Sequence, residues 1–350
     1  MTALPAFLIR DMDAARFQTI TGKYPKLRVA IVGDFCLDRY LEIDPSKKER
    51  SIETGLPVHN VVNVRSQPGG AGTILNNLAT LGLAEIFPVG FAGDDGEGTE
   101  LCRSLRARRG VNLEFFFYTK HRRTFTYTKP LIVEPGRAPV ELSRLDFKNW
   151  TPTPAVVQGR LIDAVERLGK EVQAVILLDQ VDLPETGVIT AKLLRAVETI
   201  SGRRRKLLIL ADSRRGLRGY PPVVFKMNAD ELSALVGGKE PFVQKNIEQQ
   251  AASLSRLLDR QVFITLAERG IIGASPKGEV KHVPALPVRG PIDIVGAGDA
   301  VTANLTAALA AGASLGEALE LANAAASVVI HQLGTTGTAT VGQIKSRLFG

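Results

Sequence analysis

The chain has 350 residues, 45% of them hydrophobic and 23% charged, with a formal net charge of +8. That is enough for one large α/β domain or two modest ones, and no apolar run approaches the roughly 18 residues a membrane helix needs, so no membrane partner is expected. Two cysteines without a CxxC pair and only four histidines exclude a disulfide framework and leave little for a structural zinc site.

The N-terminus carries Asp11 and Asp13 and lacks an apolar core, which does not read as a secretory signal. Together with the cysteine usage this gives an expected cytoplasmic location. Basic clusters occur at Arg106, Arg108 and Arg109, at Arg122 and Arg123, at residues 203–206, and at Arg214, Arg215 and Arg218. Aromatic content is 6%, and no aromatics interleave these runs. They read as solvated loops and helix ends around a site for anionic small molecules rather than as a nucleic-acid surface.

Residues 1–26 read as a helical arm. Residues 28–33 are a buried first strand, and Asp34 follows it. A carboxylate at that place either accepts hydrogen bonds from neighbouring sugar hydroxyls or caps a loop. Residues 41–64 and 113–145 are poor in helix formers and alternate in polarity, as at Tyr127, Lys129, Leu131 and Val133. They predict antiparallel strands in a small sheet, a lid over the site. Between them Pro68-Gly-Gly-Ala-Gly72 opens a helix over 70–81, whose paired glycines let backbone approach a ligand or simply pack a turn.

Short apolar runs at 174–178, 207–211, 223–225 and 261–266 suit parallel strands buried on both faces. Helical patterns at 154–168, 184–200 and 247–258 separate them. This is βαβ organisation around a mostly parallel sheet. Asn228-Ala-Asp-Glu231 reads either as a helix cap or as a polar pair beside nucleotide phosphates and magnesium. Thr265 to Gly270 reads as a turn ending a strand. No GxxxxGK[ST] occurs and no GxGxxG follows the first strand, which excludes a P-loop and argues against a dinucleotide fold.

The most telling segment is Asp293-Ile-Val-Gly-Ala-Gly-Asp299, which runs into a long helical pattern. Gly296, Ala297 and Gly298 leave backbone N–H groups uncovered at a helix start, an anion site suited to phosphate. Asp299 beside such a site needs a role, and taking the proton of an attacking hydroxyl supplies one.

These segments together resemble the PfkB (ribokinase-like) carbohydrate kinases over residues 27–348. The match lies in Asp293 to Asp299, in Gly69-Gly-Ala-Gly72 with Asn77, Ala79, Leu81 and Gly82, and in Asn228-x-x-Glu231. Within the family the chain is most similar to bacterial D-glycero-β-D-manno-heptose-7-phosphate kinases, through Gly33-Asp-Phe-Cys-Leu-Asp-Arg-Tyr40, Arg144-Leu-Asp-Phe147, Ala211-Asp-Ser-Arg-Arg-Gly216, Ala322-Asn-Ala-Ala-Ala326 and Leu333-Gly-Thr335.

The resemblance implies a ribokinase-like α/β fold, with a central mostly parallel sheet flanked by helices, a β lid and a kinase domain over 27–350. It implies ATP-dependent phosphorylation of a sugar or sugar-phosphate hydroxyl. Asp299 would be the base, with Gly296, Ala297 and Gly298 as the anion hole. Asp34, Gly69, Gly70 and Thr73 would hold the acceptor, and Asn228, Glu231, Thr265, Ala267 and Gly270 would lie along ATP. Mg2+ would be held by Glu231 through water and K+ beside Asp293 and the loop 333–337. A homodimer through the lid is a further expectation.

Thr73 stands where that subfamily has Asn, Ile294 where the motif has Thr, and Asp179-Gln-Val-Asp-Leu-Pro184 lacks the subfamily's Lys-Gly. These departures leave the sugar open: a phosphorylated acceptor would draw on Arg39, Arg122, Arg123 or Lys129, a neutral sugar or nucleoside on none of them. The intact Gly-Ala-Gly-Asp argues against a non-catalytic sensor.

Overall fold

Alternate residues of the first strand serve two different cores. Val29 and Ile31 of Arg28–Gly33 pack into one apolar layer, while Ala30 and Val32 pack into another. Such a strand must lie between two layers of helices. The computed structural model describes residues 11–237 and 243–350, and it places this strand inside a nine-stranded sheet. From one edge the order is Val280–Val283, Ile271–Ala274, Val262–Thr265, Val224–Asn228, Leu208–Ser213, Ala174–Asp179, Arg28–Gly33, Glu85–Gly93 and Phe116–Thr119. The pairs from Val262–Thr265 onward are parallel; the two strands before it are antiparallel.

One face carries helices Ala71–Leu81, Gly96–Arg106, Ala297–Ala310, Leu315–Val329 and Val341–Phe349, and the other carries Ala155–Leu168, Ala191–Arg203 and Gln244–Leu258. Helix Ala297–Ala310 is rich in Ala and Thr, and Ala300, Thr302, Ala303 and Thr306 are wholly buried. Small side chains let its axis approach the sheet. The chain runs from Arg28–Gly33 outward to Glu85–Gly93 on one side, then returns to Ala174–Asp179 on the other. Adjacent connections therefore diverge at the carboxyl ends of these two strands, the place where open α/β sheets form a ligand crevice.

The small sheet is made by Leu145–Phe147, Phe125–Ile132, Phe35–Ile43 and Val61–Gly70, in that order, with Val140–Glu141 beside Phe125–Ile132. Its bounds differ from the expected 41–64 and 113–145. The first strand starts at Phe35, directly after Asp34, and the second runs into Gly70. Phe116–Thr119 leaves the small sheet altogether and pairs with Glu85–Gly93, because Phe115, Phe116 and Phe117 bury their rings in the main core.

Two further expectations are corrected. The helix expected over 184–200 begins only at Ala191, where the Thr190 side chain accepts from Leu193 N at 3.3 Å; residues before it form a loop. The arm expected to be helical over residues 1–26 has, among the described residues, one α-helix at Ala14–Thr21, and Met12, Phe17, Ile20 and Tyr24 are buried among the C-terminal helices. Phe17 meets the ring of Phe349 edge-on at 5.7 Å, and Arg16 pairs with Glu317 at 2.7 Å.

Candidate functional site

The site lies over the carboxyl ends of the central strands and beneath the small sheet. Its floor is the start of helix Ala297–Ala310. Gly296 takes φ +83°, and a Cβ there would also press on Thr336 at 3.4 Å. This left-handed residue turns the chain so that Ala297 and Gly298 open the helix with their N–H groups uncovered by side chains.

Beside this turn sits a buried cation. Lys226, at the end of Val224–Asn228, donates from Nζ to Asp212 Oδ2 at 2.7 Å. Thr302 Oγ1 donates to the same oxygen at 2.8 Å. A Cβ on Gly298 would stand 3.3 Å from Lys226 Nζ, so the glycine leaves the ammonium facing the helix start. Asp299, one helical turn before Thr302, shares its face. Burial pushes the Asp299 carboxyl from 3.8 up to about 7; the Asp212 charge adds to this and Lys226 opposes it. A carboxyl poised near neutrality beside uncovered N–H groups and an ammonium can accept a hydroxyl proton where phosphoryl charge is held.

The second half of the site comes from the small sheet. Asp38 lies on Phe35–Ile43, opposite Gln67, with Lys129 Nζ 3.9 Å from its Oδ1. Burial raises its carboxyl, while Lys129 and Arg144 lower it. Asp38 is also among the charges that raise Asp299. Gly69 is required here: its Cβ would lie 2.5 Å from Asp38 Oδ2 and 2.9 Å from Cys36 Sγ. Gly70, at φ +56°, lies over the Asp34 carbonyl. Thr73 is buried on the helix that follows.

Asp34 is placed differently from the expectation. Its residue is 2% exposed, and its carboxylate accepts from Gln180 N at 2.9 Å and Val188 N at 2.7 Å. Both oxygens are thus engaged by main chain. Three of the four candidate cations are similarly engaged. Arg39 pairs with Glu97 and Glu100, Arg122 donates to Thr151 and the Pro152 carbonyl, and Arg123 pairs with Asp95 and Glu97. Lys129 alone stays at Asp38. Around it stand cations not singled out as phosphate ligands from sequence: Arg144 and Lys148 over the Tyr127 ring, and Arg214 near Asp182.

On the nucleotide side, Asn228 and Glu231 form a reciprocal cap: Glu231 Oε2 accepts from Asn228 N at 2.7 Å and Asn228 Oδ1 from Glu231 N at 2.9 Å. Burial raises the Glu231 carboxyl, and the Asp212 charge adds to this. Thr265 lies opposite Asn228 in the sheet, and Ala267 takes φ 52° in the turn after it. Gly270 has a packing reason of its own: a Cβ there would come within 2.0 Å of the Val283 carbonyl. Asp293 binds the anion-hole segment to the loop 333–337, accepting from Val295 N at 3.0 Å and Gly334 N at 3.3 Å. In that loop Thr336 Oγ1 is buried without a hydrogen-bond partner.

Sequence reasoning missed Asp38, Lys226 and Asp212. The signals were present. Period two along Phe35–Ile43 puts Phe35 and Leu37 in the core and Cys36, Asp38 and Tyr40 on the other face. A lysine inside the apolar run Val223-Val-Phe-Lys-Met227 calls for a buried partner, which Asp212 on the neighbouring strand provides.

Comparison with known proteins bears on the family and the fold. The family model for pfkB family carbohydrate kinases matches residues 162–340. The Bifunctional protein HldE of Bradyrhizobium sp. (strain ORS 278) is 31% identical over 321 residues, covering 91% of this chain and 63% of the relative. HldE of Hyphomonas neptunium (strain ATCC 15444) is 32% identical over 350 residues, covering 96% and 66%. The chain thus spans somewhat under two thirds of the length of these relatives. Among solved structures, Arabidopsis thaliana ribokinase complexed with ribose and ATP superposes with a TM-score of 0.66 at 20% identity, covering 93% of this chain and 99% of that one. Phosphofructokinase-2 from Escherichia coli in complex with fructose-6-phosphate gives 0.64 at 17%, covering 91% and 97%. With the family match, the fold and the Gly296–Asp299 turn in agreement, the chain belongs to the PfkB family of carbohydrate kinases.

Proposed function

We propose that the chain transfers the terminal phosphoryl group of ATP to a hydroxyl of a sugar that already carries a phosphate, of the heptose 7-phosphate type. The observation that carries the transfer is Asp299, held near neutral pKa behind Gly296–Gly298 and beside buried Lys226. Asp299 takes the acceptor's hydroxyl proton; the oxygen bonds to the terminal phosphorus as the bridging P–O bond to ADP breaks. N–H groups of Ala297 and Gly298, with Lys226, hold the charge on the moving group. Asp38 accepts hydrogen bonds from acceptor hydroxyls, with Gly69 and Gly70 leaving room for them.

Among the described residues no group of three or more metal-binding side chains gathers, and Glu231 is one carboxylate near the Lys226–Asp212 pair. Magnesium would therefore enter on the nucleotide phosphates, with Glu231 reached through water, and supply charge neutralisation there. Potassium would find the carboxylate of Asp293 and the unpartnered Thr336 hydroxyl. The edge strand Val61–Gly70 exposes Val61, Val62 and Val64, an apolar strip suited to pairing two copies.

A phosphorylated acceptor is favoured by Lys129, Arg144, Lys148 and Arg214 around the rim near Asp38 and Tyr127. A neutral acceptor is favoured by the carboxylates that already engage them, Asp146 and Asp182. ADP release across a panel of sugars and sugar phosphates separates the readings. Neutral sugars outperforming every sugar phosphate would overturn the first.

A further inference from the structure

Asp34 and the loop it holds form an arrangement that the transfer chemistry does not use. Asp34 directly follows the first strand and Asp179 ends its neighbour, at the point where the two connections diverge. The chain after Asp179 does not enter a helix until Ala191. Its first residue, Gln180, and its ninth, Val188, both donate main-chain N–H groups to the Asp34 carboxylate.

Gly187 shows how close this fit is. A Cβ on Gly187 would stand 2.4 Å from Asp34 Oδ1 and 2.9 Å from Oδ2. No side chain other than hydrogen allows the carboxylate to remain where it is. The Gly187 carbonyl also accepts from Thr153 Oγ1 at 2.7 Å, and Thr153 N donates to the Glu185 carbonyl at 2.7 Å. Between these anchors Glu185 takes φ 65°, a left-handed conformation that a non-glycine residue keeps only where its surroundings over-determine it.

The loop borders the acceptor space. Gln180 Cγ would lie 3.5 Å from a Cβ on Gly70. Val181, Asp182, Leu183 and Thr186 line a small cavity with Tyr127 and Trp150, and Tyr127 pairs with Asp38 across the sheet.

We propose that Asp34 and Gly187 form a lock that fixes the loop 180–188 as the wall of the acceptor pocket opposite the small sheet. Asp34 is then a positioning residue that touches no substrate, and the hydroxyl-binding carboxylate is Asp38. The pocket assignment rests on the kinase reading above; the lock itself does not.

The test uses the full chain with Gly187→Ala, Asp34→Ala and the double variant. Hydrogen exchange of peptides spanning 178–190 reads the lock. Each single variant should speed exchange at Gln180 and Val188 by roughly ten- to a hundredfold, the loss of a charge-assisted hydrogen bond, and leave peptides of the helix Ala297–Ala310 unchanged. Adding Gly187→Ala to Asp34→Ala should change little, because the clash has gone. Where Asp34→Ala does not fold, Gly187→Ala carries the test alone.

Steady-state kinetics with heptose 7-phosphate and fructose 6-phosphate as probes read the wall. KM for the probe should rise about tenfold in Gly187→Ala, with KM for ATP unchanged. Unaltered exchange at 178–190 overturns the lock. Faster exchange with an unaltered probe KM overturns the positioning role. Wild-type protein that phosphorylates no member of a sugar panel overturns the kinase reading and, with it, the wall; the exchange result still decides the lock.

Discussion

Replacing Asp299 with Asn should stop catalysis and, at the same time, stabilise the fold. Enclosure lifts the Asp299 carboxyl from 3.8 to about 7, so between those values the folded chain holds a proton that the unfolded chain has released. Stability contributed by a raised carboxyl is complete below pH 4 and is lost as pH rises through about 7. Above that the folded protein carries an unfavourable carboxylate that Asn lacks. The interval corresponds to about 4 kcal/mol at about 1.4 kcal/mol per pH unit. Asp299 keeps an opening to the cleft, so solvent reduces the gain to about 1–2 kcal/mol. Thermal melts of the variant, followed by the emission of the single tryptophan Trp150, should exceed wild type by only about 1 °C near pH 5 and by roughly 2–4 °C near pH 8. Turnover should fall by roughly 10²–10⁴-fold, the contribution of a positioned base. A melting difference that is the same at both pH values would refute the raised carboxyl, and near-normal turnover would refute the base.

The other expectations are more direct. Wild-type kcat should decline as pH drops below about 7, as Asp299 takes up its proton; a flat profile from pH 5.5 to 8 contradicts that. Lys226→Ala leaves the buried Asp212 carboxylate with Thr302 as its remaining side-chain donor among the described residues and should cost about 3–5 kcal/mol in denaturant melts; a loss under about 1 kcal/mol would mean the pair is not buried as described. Gly69→Ala should displace Asp38 and raise acceptor KM about tenfold with ATP KM unchanged, and an effect on ATP instead would misplace the acceptor half. Phe17→Ala should lower stability by about 3–5 kcal/mol, whereas a detached arm would tolerate it.

Much of this molecule is written in local pattern. The strands Ala174–Asp179, Leu208–Ser213 and Val262–Thr265 are apolar runs between helical periods, and burial on both faces makes such runs hard to misread. Gly296 to Asp299 is equally plain, because a left-handed glycine, a helix start and an acid follow one another in sequence. What escapes is whatever depends on a distant partner. Lys226 looks like a solvated lysine until Asp212 is placed on the next strand. Asp34 and Asp38 are both acids near the same strand end, and only the loop arriving from residue 180 shows which one the main chain engages. Phe116–Thr119 sits in a helix-poor stretch beside the small-sheet strands, and its two phenylalanines, with Phe115 before them, name a core without saying which. The cations Arg39, Arg122 and Arg123 likewise declare charge in the sequence and reveal their carboxylate and carbonyl partners only in three dimensions.

The helix Ala14–Thr21 has only eight residues, far fewer than an isolated helix needs in water. Its stabilising partners, Glu317 and Phe349, lie 301 residues or more along the chain. At about 5–20 residues per second a ribosome takes roughly 15–60 s to cover that distance. Throughout that interval Arg16 and Phe17 lack these partners, so this segment is among the last to fold. The segment 12–21 therefore acts as a clasp that closes over a finished core, and its docking, measured by protection of residues 12–21, marks completion of the fold.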